Sequence, residues 1–380
     1  MDISLPDFCL VLLFGSSTVA VDAFARRHFA ADEMALPGAI RAPLANRKTA
    51  VVDASDRTRD GLAALAHIAR ETHTQIFVVL LGQGADRHAH GLGQIAVKAT
   101  FDVADGADVQ IARTRVSTDH RDIVGPFDII GDIHGCVDEL VELLGRLGYG
   151  VRLDGLGTER RAMVSAPAGR RAVFVGDLVD RGPNAPDVLR VVMALVGSGQ
   201  GIAVAGNHDV KFLRWLDGRN VQLTHGLDLT VAQLATESDG FRQEVRAFLN
   251  GLTGHVWLDG GRLAVAHAGV REEMIGRASG SIREFTLFGD TSGKPGLDGL
   301  PVRYHWALDY RGQVTVVYGH TPVADAAWVG NTVCLDTGCC FGGRLSALRW
   351  PEREFVTVVA KTVYAPLRRA FGHGPPRPET

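Results

Sequence analysis

The chain carries almost no excess charge: 43 acidic side chains stand against 40 lysines and arginines, a net charge of −3. That balance excludes the global basic field behind non-specific nucleic-acid binding, so any such contact needs a local patch. Cysteine is scarce. The five residues Cys9, Cys136, Cys334, Cys339 and Cys340 have neither CxxC spacing nor the paired spacing of a disulfide framework, which argues against a disulfide scaffold or a zinc knuckle. Long hydrophobic runs are missing too. Phe8 to Phe14 is far too short to span a bilayer, follows no basic region and reads as a buried strand. The expectation is a cytoplasmic chain with no membrane partner. At 46% hydrophobic and 22% charged residues, the 380-residue chain is neither fibrous nor largely disordered, and its length allows two domains.

What is present is organised in two series of apolar runs. The first pairs strand-like segments (Cys9 to Phe14, Thr49 to Val52, Ile76 to Leu81) with helix-like ones (Val21 to Phe29, Arg59 to Arg70), the pattern of a small parallel α/β domain over residues 1–120. The polar stretch Ser117 to Asp122 marks the boundary. In the second series, apolar runs end in glycine and an acid or amide: Phe127 to Ile130 before Gly131-Asp132, Ala172 to Val175 before Gly176-Asp177, and Ile202 to Ala205 before Gly206-Asn207. Ligands of open α/β sheets collect at the carboxyl ends of strands, so these ends predict one shared site. Val137, Leu140, Val141, Leu144 and Leu147 follow one helical face, as do Val188, Val191, Val192 and Leu195, and both are core stripes. A helical insertion over residues 210–255 is expected to overhang the site. Short strands then return at Leu263 to Ala266, Val314 to Tyr318, Val333 to Leu335, Ser346 to Arg349 and Phe355 to Val359, predicting a second sheet packed on the first. The fold class is therefore α/β, a two-sheet sandwich over residues 121–365 behind a smaller parallel domain. Residues 366–380, rich in proline, glycine and arginine, read as a flexible tail.

Five short motifs carry the chemistry: Gly131-Asp132-Ile133-His134-Gly135, Gly176-Asp177-Leu178-Val179-Asp180-Arg181-Gly182, Gly206-Asn207-His208-Asp209, Ala266-His267-Ala268-Gly269 and Tyr318-Gly319-His320-Thr321-Pro322. Singly each is weak, because a strand-end Asp commonly caps a helix and a lone His commonly sits satisfied in a core. In this order they resemble the phosphoprotein-phosphatase-type branch of the calcineurin-like metallophosphoesterases, over roughly Phe127 to Leu348. The resemblance implies two divalent ions, one held by Asp132, His134 and Asp177, the other by Asp177, Asn207, His267 and His320. Carboxylate, amide and imidazole donors suit manganese first, with iron, zinc or nickel as alternatives. A hydroxide bridging such a pair would attack phosphorus. By the same resemblance His208 is the proton donor, Asp180 orients it, and Arg181 presents a planar fork to phosphate oxygens. Asp209 reads as a capping acid.

A closer likeness is carried by Gly299-Leu300-Pro301-Val302-Arg303, Tyr310-Arg311-Gly312 and Asp336-Thr337-Gly338-Cys339-Cys340-Phe341-Gly342-Gly343, which resemble the phosphatase module of bacterial polynucleotide kinase-phosphatases. There a P-loop kinase domain precedes the phosphatase and a ligase-like domain often follows. In this comparison Gly15 to Ala23 falls where GxxxxGK[ST] belongs, but Ala20, Val21 and Asp22 replace the glycine, lysine and hydroxyl, which implies a degenerate, kinase-dead P-loop domain kept for structure or for docking a protein partner. Arg303, Lys211, Arg214 and Arg271 are candidates to line an anionic groove, Arg303 foremost as a substrate-binding residue. Asp336 reads equally as a support for the metal ligands or as a turn former. The expected function is hydrolysis of phosphomonoesters, with cyclic or diester bonds as further targets, on nucleotides or nucleic-acid ends. A phosphoprotein phosphatase and a dinucleoside tetraphosphatase are the alternatives within the same chemistry, and a non-catalytic scaffold is the alternative outside it.

Overall fold

The computed structural model describes residues 1–82, 92–295, 301–367, 369–374 and 376. Two compact units emerge: Met1–Asp119 with Gly276–Ile282, and His120–Ile275 with Arg283–Thr380. Gly299 and Leu300 lie outside the described residues.

In the first unit, β1 (Asp2–Pro6), β2 (Leu10–Gly15), α1 (Thr18–His28), α2 (Arg41–Ala45), β3 (Ala50–Asp53), α3 (Arg59–Glu71), β4 (Ile76–Leu81), β5 (Ala99–Val103) and β6 (Gln110–Thr114) follow in order. Strands β3-β2-β4-β5 form a parallel sheet, while β1 and β6 pair separately, also in parallel. Every residue of β2 and β4 is buried, as expected for strands covered on both faces. Val21, Ala25 and Phe29 cover one face, and Leu62, Leu65, Ala66 and Ala69, at helical spacing along α3, cover the other. The returning segment is anchored here by Arg277, whose guanidinium donates to the carbonyls of Leu44, Ala45 and Thr72. Helix α1 starts earlier than the P-loop comparison requires. Only Ser16 and Ser17 separate β2 from Thr18, so Ala20, Val21 and Asp22 are already helical, with Val21 buried and Asp22 paired to Arg26 at 3.0 Å.

The second unit contains β7 (Phe127–Ile130), α4 (Val137–Arg146), β8 (Gly150–Asp154), β9 (Arg161–Ser165), β10 (Arg171–Phe174), α5 (Ala185–Gly197), β11 (Gly201–Ala203), α6 (Asn207–Leu216), α7 (Leu227–Ala235), α8 (Asp239–Gly251), β12 (His255–Leu258), β13 (Leu263–Ala266), α9 (Gly280–Phe288, shared with the returning segment), β14 (Asp290–Pro295), β15 (Pro301–Tyr304), β16 (Thr315–Tyr318), β17 (Trp328–Val329), β18 (Thr332–Cys334), β19 (Arg344–Trp350) and β20 (Glu354–Val359). Two five-stranded sheets, β11-β10-β7-β19-β20 and β12-β13-β16-β18-β17, make the sandwich. Between them lie Phe127, Ile129, Val173, Val175 and Val204 from one sheet and Val256, Leu263, Val265, Val317 and Val333 from the other. The stripes of α4 and α5 cover the opposite face of the first sheet.

One expectation is corrected. The last two strands do not extend the second sheet: β19 pairs antiparallel with β7 (Ala347 opposite Ile130), and β20 pairs with β19. The alternation of β19 explains this, because Leu345 and Ala347 join the helix-side core while Leu348 and Trp350 enter the layer between the sheets. Only a strand of the first sheet has both cores beside it.

Asp128 of β7 is fully buried and is held by Arg170 through two bonds of 2.9 Å to its two oxygens, by Tyr149 at 3.0 Å and by Arg349 at 3.3 Å. Removing one partner of a buried ion pair strands the other. Arg170→Ala is expected to lower the unfolding free energy by about 3 kcal/mol, read from the urea midpoint at unchanged slope, and a loss below about 1 kcal/mol would assign the anchoring to Arg349 and Tyr149.

Candidate metal centre

Six strands deliver the motif residues to one end of the sandwich. Asp132 and His134 follow β7, Asp177 follows β10, Asn207 opens α6 after β11, His267 follows β13, His320 follows β16, and Asp336 follows β18. Strands β7, β10 and β11 are mutually parallel, and so are β13, β16 and β18, so both sets of carboxyl ends face the same region.

The side chains converge. Asp177 Oδ2 lies 3.5 Å from His134 Nε2 and 3.4 Å from His267 Nε2. His267 Nε2 is 3.0 Å from both Asn207 Oδ1 and His320 Nδ1. Donor atoms of His134, Asp177 and His208, and again of Asp177, His267 and His320, fall within 4.8 Å of one another, so Asp177 is common to both groups. Neighbouring ligands set at right angles on an ion with bonds of about 2.1 Å stand about 3.0 Å apart, the spacing seen around His267.

The chemistry of these atoms also fits cations. The Val179 carbonyl, 2.9 Å from His134 Nδ1, and the Val175 carbonyl, 3.1 Å from His267 Nδ1, can only accept, so both Nδ1 atoms carry the proton and both Nε2 atoms turn a lone pair inward. Burial drives His134, His267 and His320 below the ordinary imidazole value, leaving them neutral. Burial, then Asp336 and Asp177, push the Asp132 carboxyl well above its usual range, and burial takes Asp336 up to about 6. Asp132 Oδ1 and His320 Nε2 are buried with no hydrogen-bond partner among the described residues. Lone pairs crowded against carboxylate oxygens in a buried pocket are stabilised by positive charge. The residues present fit a divalent pair.

The backbone is bent to achieve this. His134, Asp177, Asp180, Arg181 and His320 all have positive φ, between 48° and 72°. Non-glycine residues adopt that region at a cost the surrounding fold must offset. Two glycines permit the close approach: a Cβ on Gly206 would lie 2.1 Å from the Asp177 amide nitrogen, and one on Gly319 would lie 1.9 Å from Asp132 Oδ1.

Around this centre, His208 Nδ1 is 2.6 Å from Asp180 Oδ2, and Arg181 donates to His134 Nε2 at 2.6 Å and to His208 Nε2 at 2.8 Å. Asp209 accepts from the amides of Leu178 and Gly206 at 3.0 and 2.9 Å, fastening the start of α6 to the Asp177 turn. Sequence reasoning missed Thr230 of α7, whose hydroxyl donates to Asp180 Oδ1 at 2.7 Å and accepts from the Asp180 amide at 2.9 Å. The insertion thus reaches the site through a residue 50 positions from its partner, with no local motif to reveal it.

A cavity of about 1060 Å³ opens over the centre, lined by Asp177, Asn207, His208 and His320 at its base and by Arg181, Lys211, Arg303 and Arg369. Of the candidate groove residues, Lys211 and Arg303 line it, although Lys211 is bound to Thr224. Arg214 is not part of its described lining, and Arg271 is paired with Asp290 at 2.8 Å. Residues of the tail expected to be flexible form one wall, and their described part is anchored: the Gly372 amide donates to the Pro322 carbonyl at 2.8 Å. No helix among the described residues is long and apolar enough to cross a membrane.

The sequence profile of the calcineurin-like phosphoesterases matches residues 125–355. The chain belongs to that family. It is a metal-dependent phosphoester hydrolase, and the family works with a dinuclear divalent centre. The bis(5'-nucleosyl)-tetraphosphatase PrpE [asymmetrical] of Anoxybacillus flavithermus is 43% identical over 242 residues, covering 63% of this chain and 96% of the relative. Its counterpart from Geobacillus thermodenitrificans is 44% identical over 243 residues, with 63% and 96% covered, and that from Halalkalibacterium halodurans is 44% identical over 239 residues, with 62% and 94% covered. These relatives carry the name of the tetraphosphatase alternative, not that of the polynucleotide kinase-phosphatases.

Gly319→Ala tests how tightly the site is built. Its methyl group has to push Asp132 aside, so kcat/KM is expected to fall about 100-fold, as for a displacement of about 1 Å, with bound metal reduced in elemental analysis. Unchanged metal content and activity would show that Asp132 can move freely.

Proposed function

We propose that the chain hydrolyses nucleotides carrying a polyphosphate chain, with dinucleoside tetraphosphates as the leading substrates. The observation that supports this most is the sharing of Asp177 by two donor groups at the base of a cavity of about 1060 Å³ lined with arginines, a volume at the upper end for small-molecule sites. The printed names of relatives 43–44% identical over nearly their whole length point the same way. Phosphomonoesters of nucleotides or nucleic-acid ends are the second reading, favoured by the parallel α/β unit that precedes the hydrolase unit.

In this proposal Asp132, His134 and Asp177 hold one divalent ion, and Asp177, Asn207, His267 and His320 hold the other, with manganese the first candidate for this mixed donor set. Bound there, the ions supply the Lewis acidity that makes water a nucleophile near neutral pH and offsets charge on the phosphoryl oxygens. Arg181 leaves the imidazoles it now bonds and takes phosphoryl oxygens in its planar fork. His208, held at Nδ1 by Asp180, gives the proton on Nε2 to the leaving oxygen. Thr230 keeps Asp180 turned toward His208. Arg303 binds further phosphate oxygens. For the first unit we propose a degenerate P-loop domain without kinase activity, its lysine position taken by the buried Val21.

Two experiments test this. With manganese present, kcat/KM for diadenosine tetraphosphate is expected to exceed that for a 5'-phosphorylated oligonucleotide, p-nitrophenyl phosphate and a phosphopeptide by at least about tenfold, giving ATP and AMP on ion exchange. A preference for the oligonucleotide selects the second reading, and inactivity on all four with two metals bound selects the scaffold. His208→Ala should lower kcat by about 10²- to 10⁴-fold on esters with poor leaving groups while metal content stays near two per chain. Loss of metal in that variant would make His208 a ligand instead.

A further inference from the structure

The family profile ends at residue 355, yet residues 364–367 and 369–374 form part of the cavity wall. This strap is fixed at both ends. At its start, the amides of Tyr364 and Ala365 donate to the Cys340 carbonyl at 3.0 and 2.9 Å, and the Tyr364 hydroxyl donates to Glu139 Oε1 at 2.8 Å. At its far end, the Gly372 amide is bonded to Pro322, and the His373 ring stacks on that of His305, with centroids 3.8 Å apart and planes 11° from parallel. Phe371 packs so closely on Gly338 that a Cβ there would lie 2.5 Å from its ring. Arg369 sits between these anchors, on the cavity.

We propose that this strap is a specificity element of the chain, and that Arg369 acts with Arg303 as a second cationic station for the phosphates that lie beyond the one being attacked. The inference rests on the hydrolase reading above and names the part of the substrate that the strap recognises.

The distribution of charge argues for it. Four cationic side chains, Arg181, Lys211, Arg303 and Arg369, line the cavity against the carboxylates of Asp177 and Asp228, and Asp177 belongs to the metal centre. Arg303 has no carboxylate in salt-bridge range among the described residues. Burial and then repulsion from Arg369 lower its pKa, against the attraction of Asp177. Arg181 is bonded to His134 and His208 at the centre, while Arg303 and Arg369 line the same cavity. An anion that reaches both of these guanidinium groups gains charge-assisted bonds at each. A single phosphate at the centre engages Arg181, whereas a chain of three or four phosphates extends along the cavity to Arg303 and Arg369.

The test measures binding and does not depend on turnover. Full-length, manganese-loaded protein is titrated calorimetrically with inorganic tripolyphosphate and with orthophosphate, as wild type, Arg369→Ala and Arg369→Lys. Wild type is expected to bind tripolyphosphate at least about tenfold tighter than orthophosphate. Arg369→Ala should weaken tripolyphosphate about tenfold and orthophosphate less than about twofold, with Arg369→Lys recovering part of the loss. Equal weakening of both anions, no weakening of either, or no preference in wild type overturns the proposal. If the anion pattern holds while diadenosine tetraphosphate is not cleaved, the strap assignment stands and the tetraphosphatase reading is the one that fails.

Discussion

The shared carboxylate of Asp177 is the constraint on which the centre depends. One of its oxygens stands within 3.5 Å of imidazole nitrogens arriving from opposite sheets, and the other accepts the amide of His208 at 3.0 Å. None of these groups can supply a proton to all the others, because the carbonyls behind His134 and His267 already fix the imidazole tautomers. A buried cluster of acceptors repels itself, and positive charge in its midst turns that repulsion into binding energy. The same carboxylate sets the local backbone: Gly206 must lack a side chain to pass it, and Asp177 itself takes a left-handed φ of 49°.

The sandwich exists to bring such loops together. Three parallel strands in each sheet point the same way, and the apolar layer from Phe127 to Trp350 holds the sheets face to face, so side chains almost 190 residues apart in sequence meet at one end. The buried ion network around Asp128 secures the opposite, amino-terminal part of β7. Rigid strands beneath and strained turns above give the division expected of a site whose geometry must be held to fractions of an ångström.

In the function proposed above, substrate choice belongs to other parts of the chain. The metal-proximal residues are common to many phosphoester hydrolases, and a fold by itself does not name a substrate. The walls above them come from the helical insertion, which reaches inward through Thr230, and from the C-terminal strap, which contributes Arg369 and Phe371. Leu223, Leu229, Phe288 and Phe341 add apolar surface among the cations, a combination suited to a ligand with both a flat base and a charged chain.

Much of this could be read from the chain alone. Asp132, His134, Asp177, Asn207, His208, His267 and His320 stand out because each lies within a few residues of the end of an apolar run, and a strand end is a local property that short-range spacing records. The core stripes of α4 and α5 were legible for the same reason, since helical periodicity is written within a few turns. Tertiary structure alone decided the rest. Whether β19 joins the first or second sheet depends on which core can receive both of its faces; Thr230 meets Asp180 through the placement of α7; and the strap forms a wall through its contacts with Cys340, Pro322 and His305. Local patterns fix which residues can act, but partners separated by tens of residues are chosen by packing, which no short window of sequence contains.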